Sequence, residues 1–313
     1  MQAKYDWIPT ECAPAEYPVQ IYSGTFYYGD KGNIYIPGDK TVANGWGNDG
    51  STHIAGDELK EVPHTLDLSW TSFVENKDYA GKFELNTKLI DSLFKLGFTS
   101  ENSPGGHSNY HYVKVGMAPG GVVVVWLSGS DKQVEVGRYQ AKKTKALDWK
   151  SVMPNMKGTM DDFTKQIQED LPDKIKEQIK DHTIPFGKWD HWRKKFNWKP
   201  VITSDASINS LSLFTVNQEM EMMTVKELKA VKYEERSAVE KLYIFWVDDK
   251  QREMRSQLDF DEAETDKIFS ALKPDEKAEL ILHVNNTGDV TAKLKTERGE
   301  AIFKAVKSTS YLR

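Results

Sequence analysis

Leu66-Asp67-Leu68-Ser69-Trp70 and Leu242-Tyr243-Ile244-Phe245-Trp246 decide the fold. The first alternates apolar and polar residues at the period of a strand. The second is apolar throughout, the pattern of a more buried strand. Both end on Trp, at an offset of 246 − 70 = 176. Each leads through a polar turn, Glu75-Asn76-Lys77-Asp78 or Asp248-Asp249-Lys250, into a second alternating run. Those runs are Lys82-Phe83-Glu84-Leu85 and Gln257-Leu258-Asp259-Phe260. Each half of the chain therefore predicts a β-hairpin with at least one buried face.

A helix is predicted after both hairpins. Asn86 and Asp261 are N-cap residues, able to accept a free backbone N–H, and Asp261 with Glu264 has the form of a capping box. Leu89, Ile90, Leu93 and Phe94 make one apolar stripe, and Thr265, Ile268, Phe269 and Leu272 its counterpart. Gly97 and Pro274 are the stop signals. Strands resume at 112–115, 122–127 and 134–139, against 279–284, 290–294 and 301–306, and leading strands are read at 19–28 and 211–216. The expected fold is α+β: two similar domains, each a mostly antiparallel sheet with one helix in the order β-β-α-β-β-β. Residues 1–150 form the first domain, 151–200 a helical, Trp-rich insert, and 201–313 the second domain.

The insert opens with Thr159-Met160-Asp161-Asp162, a capping-box pattern, and Met160, Phe163, Ile167 and Leu171 follow at helical spacing. Pro172 breaks that helix, and Ile175 and Ile179 continue the apolar face in a second one. Trp189, Trp192, Phe196 and Trp198 then crowd together. A sugar-stacking or apolar-ligand site is one use of such a cluster and core packing is the other. The insert is expected to pack across both domains.

Composition narrows the function. The 313 residues are 39% hydrophobic and 28% charged, with a net charge of −5. That apolar mass excludes a wholly disordered chain. The acidic balance, with no dense Lys/Arg block, argues against nucleic acid as partner. The one cysteine, Cys12, excludes an internal disulfide framework and a cysteine-based zinc cage. No run approaches the roughly 18 apolar residues of a membrane span. Residues 1–18 lack a charged start followed by an apolar stretch, so no secretory signal is read there.

Motifs for chemistry are weak. Gly45-Trp46-Gly47-Asn48-Asp49-Gly50 matches G-x-G-x-x-G, but its flanks do not join a strand to a helix, so a surface loop with an exposed Trp is expected. His107 and His111, with Glu101 nearby, sit beside Gly105-Gly106 and read as loop histidines. No nucleophile elbow is present, Ser128 falls on a β-turn, and Cys12 has no base at a telling spacing. No catalytic residue, metal ligand or cofactor is expected, and the protein reads as a non-enzyme.

The stretch from Gly116 to Gly129, Gly-Met-Ala-Pro-Gly-Gly-Val-Val-Val-Val-Trp-Leu-Ser-Gly, resembles a bacterial family catalogued as domain of unknown function 2931. Similar segments are Thr10-Glu11-Cys12-Ala13-Pro14, Gly45-Trp46-Gly47, Asp67-Leu68-Ser69-Trp70 and Ile184-Pro185-Phe186-Gly187-Lys188-Trp189. The resemblance spans roughly residues 5 to 200 and fades in the second repeat. It implies an exported lipoprotein of Gram-negative bacteria, and an immunity protein against a phospholipase or lipase effector of the type VI secretion system. The implied location is periplasmic, with membrane attachment only through a lipid anchor; the family's lipobox is missing from the sequence as given. No catalytic residues are implied. The competing expectation is a lipid- or glycan-binding periplasmic module without catalysis.

For a binding protein, the expected contacts are Asn44, Trp46, Asn48 and Asp49 in the glycine-rich loop, with Trp46 as an exposed anchor. The turn residues Asp248, Asp249, Lys250 and Arg252 would face the same cleft if the two domains are related by a rough two-fold.

Overall fold

Both hairpins form, each inside a larger plan that occurs twice. The structure is a computed structural model that describes residues 3–38, 40–100, 103–145, 150, 155, 157–285 and 287–312. The chain divides into two units, residues 1–99 with 107–189, and residues 100–106 with 190–313.

In the first unit the elements begin with β1 (Ile8–Cys12), β2 (Val19–Tyr28), β3 (Gly32–Tyr35), β4 (Lys40–Val42), β5 (Pro63–Ser72), β6 (Lys77–Glu84) and α1 (Thr87–Leu96). A small ribbon of β7 (Phe98–Thr99) and β8 (His107–Ser108) precedes β9 (Tyr112–Ala118), β10 (Val122–Ser128), β11 (Lys132–Gln140) and β12 (Lys142–Lys143). Helices α2 (Met160–Glu169) and α3 (Asp173–Lys180) follow. The second unit opens with β13 (Phe196–Ser204), β14 (Ser207–Thr215), β15 (Met220–Thr224), α4 (Val225–Ala230) and β16 (Glu234–Arg236). It continues through β17 (Val239–Val247), β18 (Glu253–Asp259), α5 (Glu262–Ser270), β19 (Ala278–Val284), β20 (Val290–Thr296), β21 (Gly299–Ile302) and β22 (Lys307–Leu312).

The strands of each copy divide between two sheets. In the first unit neighbours run β12-β6-β5-β2-β3 in one sheet and β1-β9-β10-β11 in another. In the second they run β22-β18-β17-β14-β15 and β13-β19-β20-β21, with β16 beside β13. The two orders correspond strand for strand. In both, the opening strand pairs parallel to the strand after the helix, β1 with β9 and β13 with β19. The hairpins pair antiparallel, with Trp70 opposite Tyr79 and Trp246 opposite Met254. The duplication seen in sequence is thus a duplication of complete topology.

In β5 the residues Leu66, Leu68 and Trp70 are buried and those between them are not. β17 follows the same alternation, which corrects the expectation of burial throughout: Leu242, Ile244 and Trp246 point inward, while Tyr243 and Phe245 are only half-buried. Tyr243 finds its cover on the outer face, edge-on to Phe214 at 5.5 Å, with the Arg255 guanidinium 5.0 Å from its ring. An aromatic ring under a cation tolerates partial exposure.

The helices start as their caps require. Asn86 Oδ1 accepts the Leu89 N–H at 3.2 Å, and Asp261 Oδ1 accepts the Glu264 N–H at 2.9 Å. The reciprocal half of the second capping box is absent. Glu264 instead accepts the backbone N–H groups of Lys304 and Ala305, both at 2.9 Å, joining α5 to the segment after β21. Each helix drives one fully buried Phe into its unit: Phe94 and Phe269, at the repeat offset of 269 − 94 = 175. Two separate apolar cores result, one around Trp70 and Phe94, the other around Trp246 and Phe269.

The segment expected as an insert divides at Trp189. Thr159 and Asp162 form the reciprocal capping box of α2. That helix packs on the first unit, with Phe163 edge-on to Phe73 at 5.5 Å and the Gln168 amide donating to Phe73 O at 2.7 Å. Tyr17 Oη donates to Gln178 Oε1 of α3 at 2.8 Å. Trp198 lies in β13 and is fully buried in the second core, its indole N–H donating to Ser237 O at 3.1 Å.

Because the two phenylalanines hold equivalent positions, Phe94→Ala and Phe269→Ala should each cost about 3–5 kcal/mol. Urea denaturation of the two variants checks this, and a large effect at one site with none at the other would break the equivalence.

Candidate functional site

β1 stands at the end of its sheet, paired with β9, and all five of its residues are buried. An end strand of this kind must satisfy its outer backbone groups elsewhere. Segment 44–51 does so. The Gly45 N–H donates to Ala13 O at 3.0 Å, and the Asn44 amide reaches Glu11 O at 3.2 Å. The Gly50 N–H donates to Thr10 Oγ1 at 3.0 Å and the Ser51 N–H to Glu11 Oε1 at 2.8 Å. Lys40 pairs with the same Glu11 carboxylate and with the Ser51 hydroxyl. Burial pushes the Glu11 carboxyl above its ordinary value, and the bonds from Lys40 and Ser51 oppose that rise. The turn itself relies on glycine, since Gly45 and Gly47 have φ of +100° and +74°.

Beneath the loop lies a buried cation. Lys114 of β9 is almost wholly enclosed, and its ammonium uses all three donors. It reaches Gly47 O at 2.6 Å, Gln133 Oε1 at 2.5 Å and Asp49 Oδ1 at 2.7 Å. Gln133 Nε2 also donates to Gly47 O at 3.1 Å, and the Gly47 N–H points to Cys12 Sγ at 3.3 Å. One loop residue is thus gripped at both of its backbone groups.

Trp46 is buried, which corrects the expectation of an exposed anchor. Its ring meets Trp126 edge-on at 5.1 Å and Trp189 at 6.4 Å. Gly116 makes room: a Cβ there would lie 2.7 Å from ring atoms of both Trp46 and Trp126. Asn44, Asn48 and Asp49 stay exposed around the buried indole. Asn48 Nδ2 donates to Asn44 O at 2.9 Å, so the amides also hold the loop's shape.

The apolar contacts exposed here are ones the sequence reading missed. Just beyond the anchored segment Ile54 is 87% exposed and Leu59 is half-exposed. Tyr35 of β3, also half-exposed, packs its ring on His53 with centroids 4.1 Å apart. An isoleucine in a polar, non-periodic loop carries no local mark of exposure, so only the fold reveals it.

In the second unit Asp248 organises its turn. Its Oδ1 accepts the N–H groups of Lys250 and Arg252 at 2.9 and 2.8 Å, and its Oδ2 accepts Arg252 Nε at 2.8 Å. Those bonds, the Arg252 backbone first, hold its carboxyl below the ordinary value. Asp249, Lys250 and Arg252 are exposed and Asp248 is not. The eight expected contact residues therefore form two groups, four in each unit.

The remaining motifs fall into place. Gly45–Gly50 carries no helix after it. His111 faces Asp6 at 3.4 Å while His107 lies on the ribbon strand β8, and Glu101 is outside the described residues. Ser128 is buried at the end of β10. Among the described residues no three His, Cys, Asp or Glu side chains could share a metal ion, and no helix is long and apolar enough to cross a membrane. In a hollow of about 490 Å³ beside α1, Asp91 accepts from Tyr5 Oη at 2.7 Å and pairs with Lys95 at 2.6 Å.

These features define a duplicated α+β protein that presents a loop surface braced from beneath. The chain belongs to the family described as Protein of unknown function (DUF2931), whose family model matches residues 1–187. That match ends close to Trp189, where the first unit ends. No curated protein and no solved structure matches the chain.

Lys114→Met would leave Gly47 O and Asp49 without their cation, and should cost on the order of 3 kcal/mol. Hydrogen exchange should quicken across residues 44–51, and Trp46→Ala should lower the melting temperature as a core change does. Burial also raises the Cys12 thiol to about 12, so at pH 8 the native protein should resist thiolate-directed reagents and react only on unfolding. Thiol labelling with and without denaturant measures this.

Proposed function

We propose that this protein is a non-catalytic, periplasmic immunity protein that binds and inhibits a secreted type VI phospholipase or lipase effector. The observation that carries the reading is the loop surface of the first unit. Ile54 projects from a segment whose base is held by Lys114, Glu11 and the buried Trp46. Protein interfaces draw most of their affinity from a few anchors, and a braced loop loses little conformational freedom on docking. Ile54, with Tyr35 and Leu59, serves as the apolar centre. Asn44, Asn48 and Asp49 form a polar rim that can hydrogen-bond a partner's backbone. Asp249, Lys250 and Arg252 offer a second, charged contact in the other unit, in a turn shaped by Asp248.

The Gly116 to Gly129 stretch resembles the DUF2931 family, and the partner class, the periplasmic location and membrane attachment through a lipid anchor alone are what that resemblance implies.

The test pairs the purified protein with purified type VI phospholipase or lipase effectors and follows phospholipid hydrolysis in vesicles. Stoichiometric inhibition is expected, with no hydrolysis by the protein alone. Ile54→Asp should weaken inhibition about thirtyfold at unchanged melting temperature, the effect of losing a hot spot of about 2 kcal/mol. Full inhibition by that variant would remove the loop from the interface, and no inhibition by the native chain would overturn the reading.

A further inference from the structure

The outer face of the second hairpin sheet carries cations set among aromatic rings. Strand alternation puts Tyr243 and Phe245 of β17 on the face opposite the buried Leu242, Ile244 and Trp246. Arg255 of β18 and Tyr311 of β22 share that outer face, and Phe245, Arg255 and Tyr311 stand directly opposite one another across the three strands. The Arg255 guanidinium lies 4.4 Å from the Tyr311 ring centroid and 5.0 Å from that of Tyr243. Farther along β17, Lys241 Nζ lies 4.7 Å from the Phe214 ring and 5.5 Å from the Tyr243 ring. All of these side chains are half-buried.

Arg255 has no acid of its own. Among the described residues no carboxylate pairs with it, and its Nε is buried with no acceptor. The hydroxyls of Tyr243 and Tyr311 are likewise without a hydrogen-bond partner there. Aromatic rings offset part of a cation's lost hydration, but its N–H donors still call for oxygen acceptors. Nor does the fold require this stack. By the two hairpin registers Arg255 corresponds to Ala80, Tyr243 to Asp67 and Phe245 to Ser69, and Tyr311 corresponds to Lys142 of β12. The first sheet forms with no ring at any of those positions.

We propose that this face docks an acidic, apolar-flanked segment of a protein partner, one carboxylate on Arg255 and the flanking side chains on the rings. Arg and Tyr are residues on which interface energy concentrates. An open sheet face suits a protein segment, whereas small molecules favour concave sites. A polyanion such as nucleic acid would meet Glu253 and Asp259, which share the face with Arg255. A single carboxylate between apolar groups matches both the unpaired guanidinium and its rings. The inference concerns the second unit's sheet and stands independently of effector inhibition.

The experiment is an NMR titration of the isotope-labelled full chain with the capped peptide acetyl-Phe-Glu-Phe-amide. Saturable shifts of the Arg255 Nε–H and of the backbone amides of β18 and β22 are expected. The glutamine analogue of the peptide should bind at least about tenfold more weakly, having lost the charge-assisted bonds. Arg255→Lys should weaken binding at least about fivefold, because an ammonium lacks the planar fork of donors. Tyr311→Leu, on the end strand of the sheet, should weaken it at least about threefold. Circular dichroism and melting curves accompany both variants. Absence of saturable shifts, equal affinity for the glutamine analogue, affinity unchanged in the folded variants, or tighter binding of inorganic phosphate than of the peptide would overturn the proposal.

Discussion

The parallel pairing of an opening strand with the strand after the helix is the constraint on which each unit depends. Ile8 to Cys12 lies beside Tyr112 to Gly116, and Trp198 to Ser204 beside Ala278 to Val284. Parallel neighbours need a long crossover, and here the crossover holds the whole hairpin sheet and the helix. The returning chain must therefore start a second sheet instead of extending the first. Phe94 and Phe269 are buried in the cores so formed. One pairing thus sets the sheet division, the place of the helix and the position of the core.

The same pairing leaves the outer edge of the opening strand in need of cover, and the two copies answer differently. In the first, a glycine-rich loop is tied down by side-chain hydrogen bonds and a buried ammonium. Burying Lys114 is costly in isolation, and the cost is offset because each of its donors has an acceptor. In the second, a three-residue strand and a six-residue helix cover part of the edge and leave an open groove of mixed lining. The core-facing register sets Glu11, beside Val115 and bound to the loop, against Ile202, beside Leu282.

The loop and the groove also differ in how they are built. A loop braced at Gly47 presents Ile54 with its base already ordered, which favours tight contact with a folded partner. The half-buried Leu228 and Val231 along α4 pack instead against the core of the second unit. Both features belong to one repeated plan, in which the strand orders agree and the edges differ.

By itself the sequence determined the hairpins, the helix starts at Asn86 and Asp261, the repeat offset and the α+β class. These follow from neighbours two to four residues apart, where strand alternation, helical stripes and N-caps act. Only the tertiary structure decided the division into two sheets, because hydrogen-bonded partners such as Ile8 and Tyr112 stand far apart in the chain. It likewise decided that Glu264 bonds Lys304 and Ala305 rather than Asp261. Trp46 and Ile54 show the reason most clearly. Both sit in the same non-periodic, polar stretch, yet one is buried against Trp126 and Trp189 and the other is almost bare. Local pattern cannot separate them, because burial is settled by what distant residues bring into contact, and here Gly116 leaves space beside the indole that a Cβ would take.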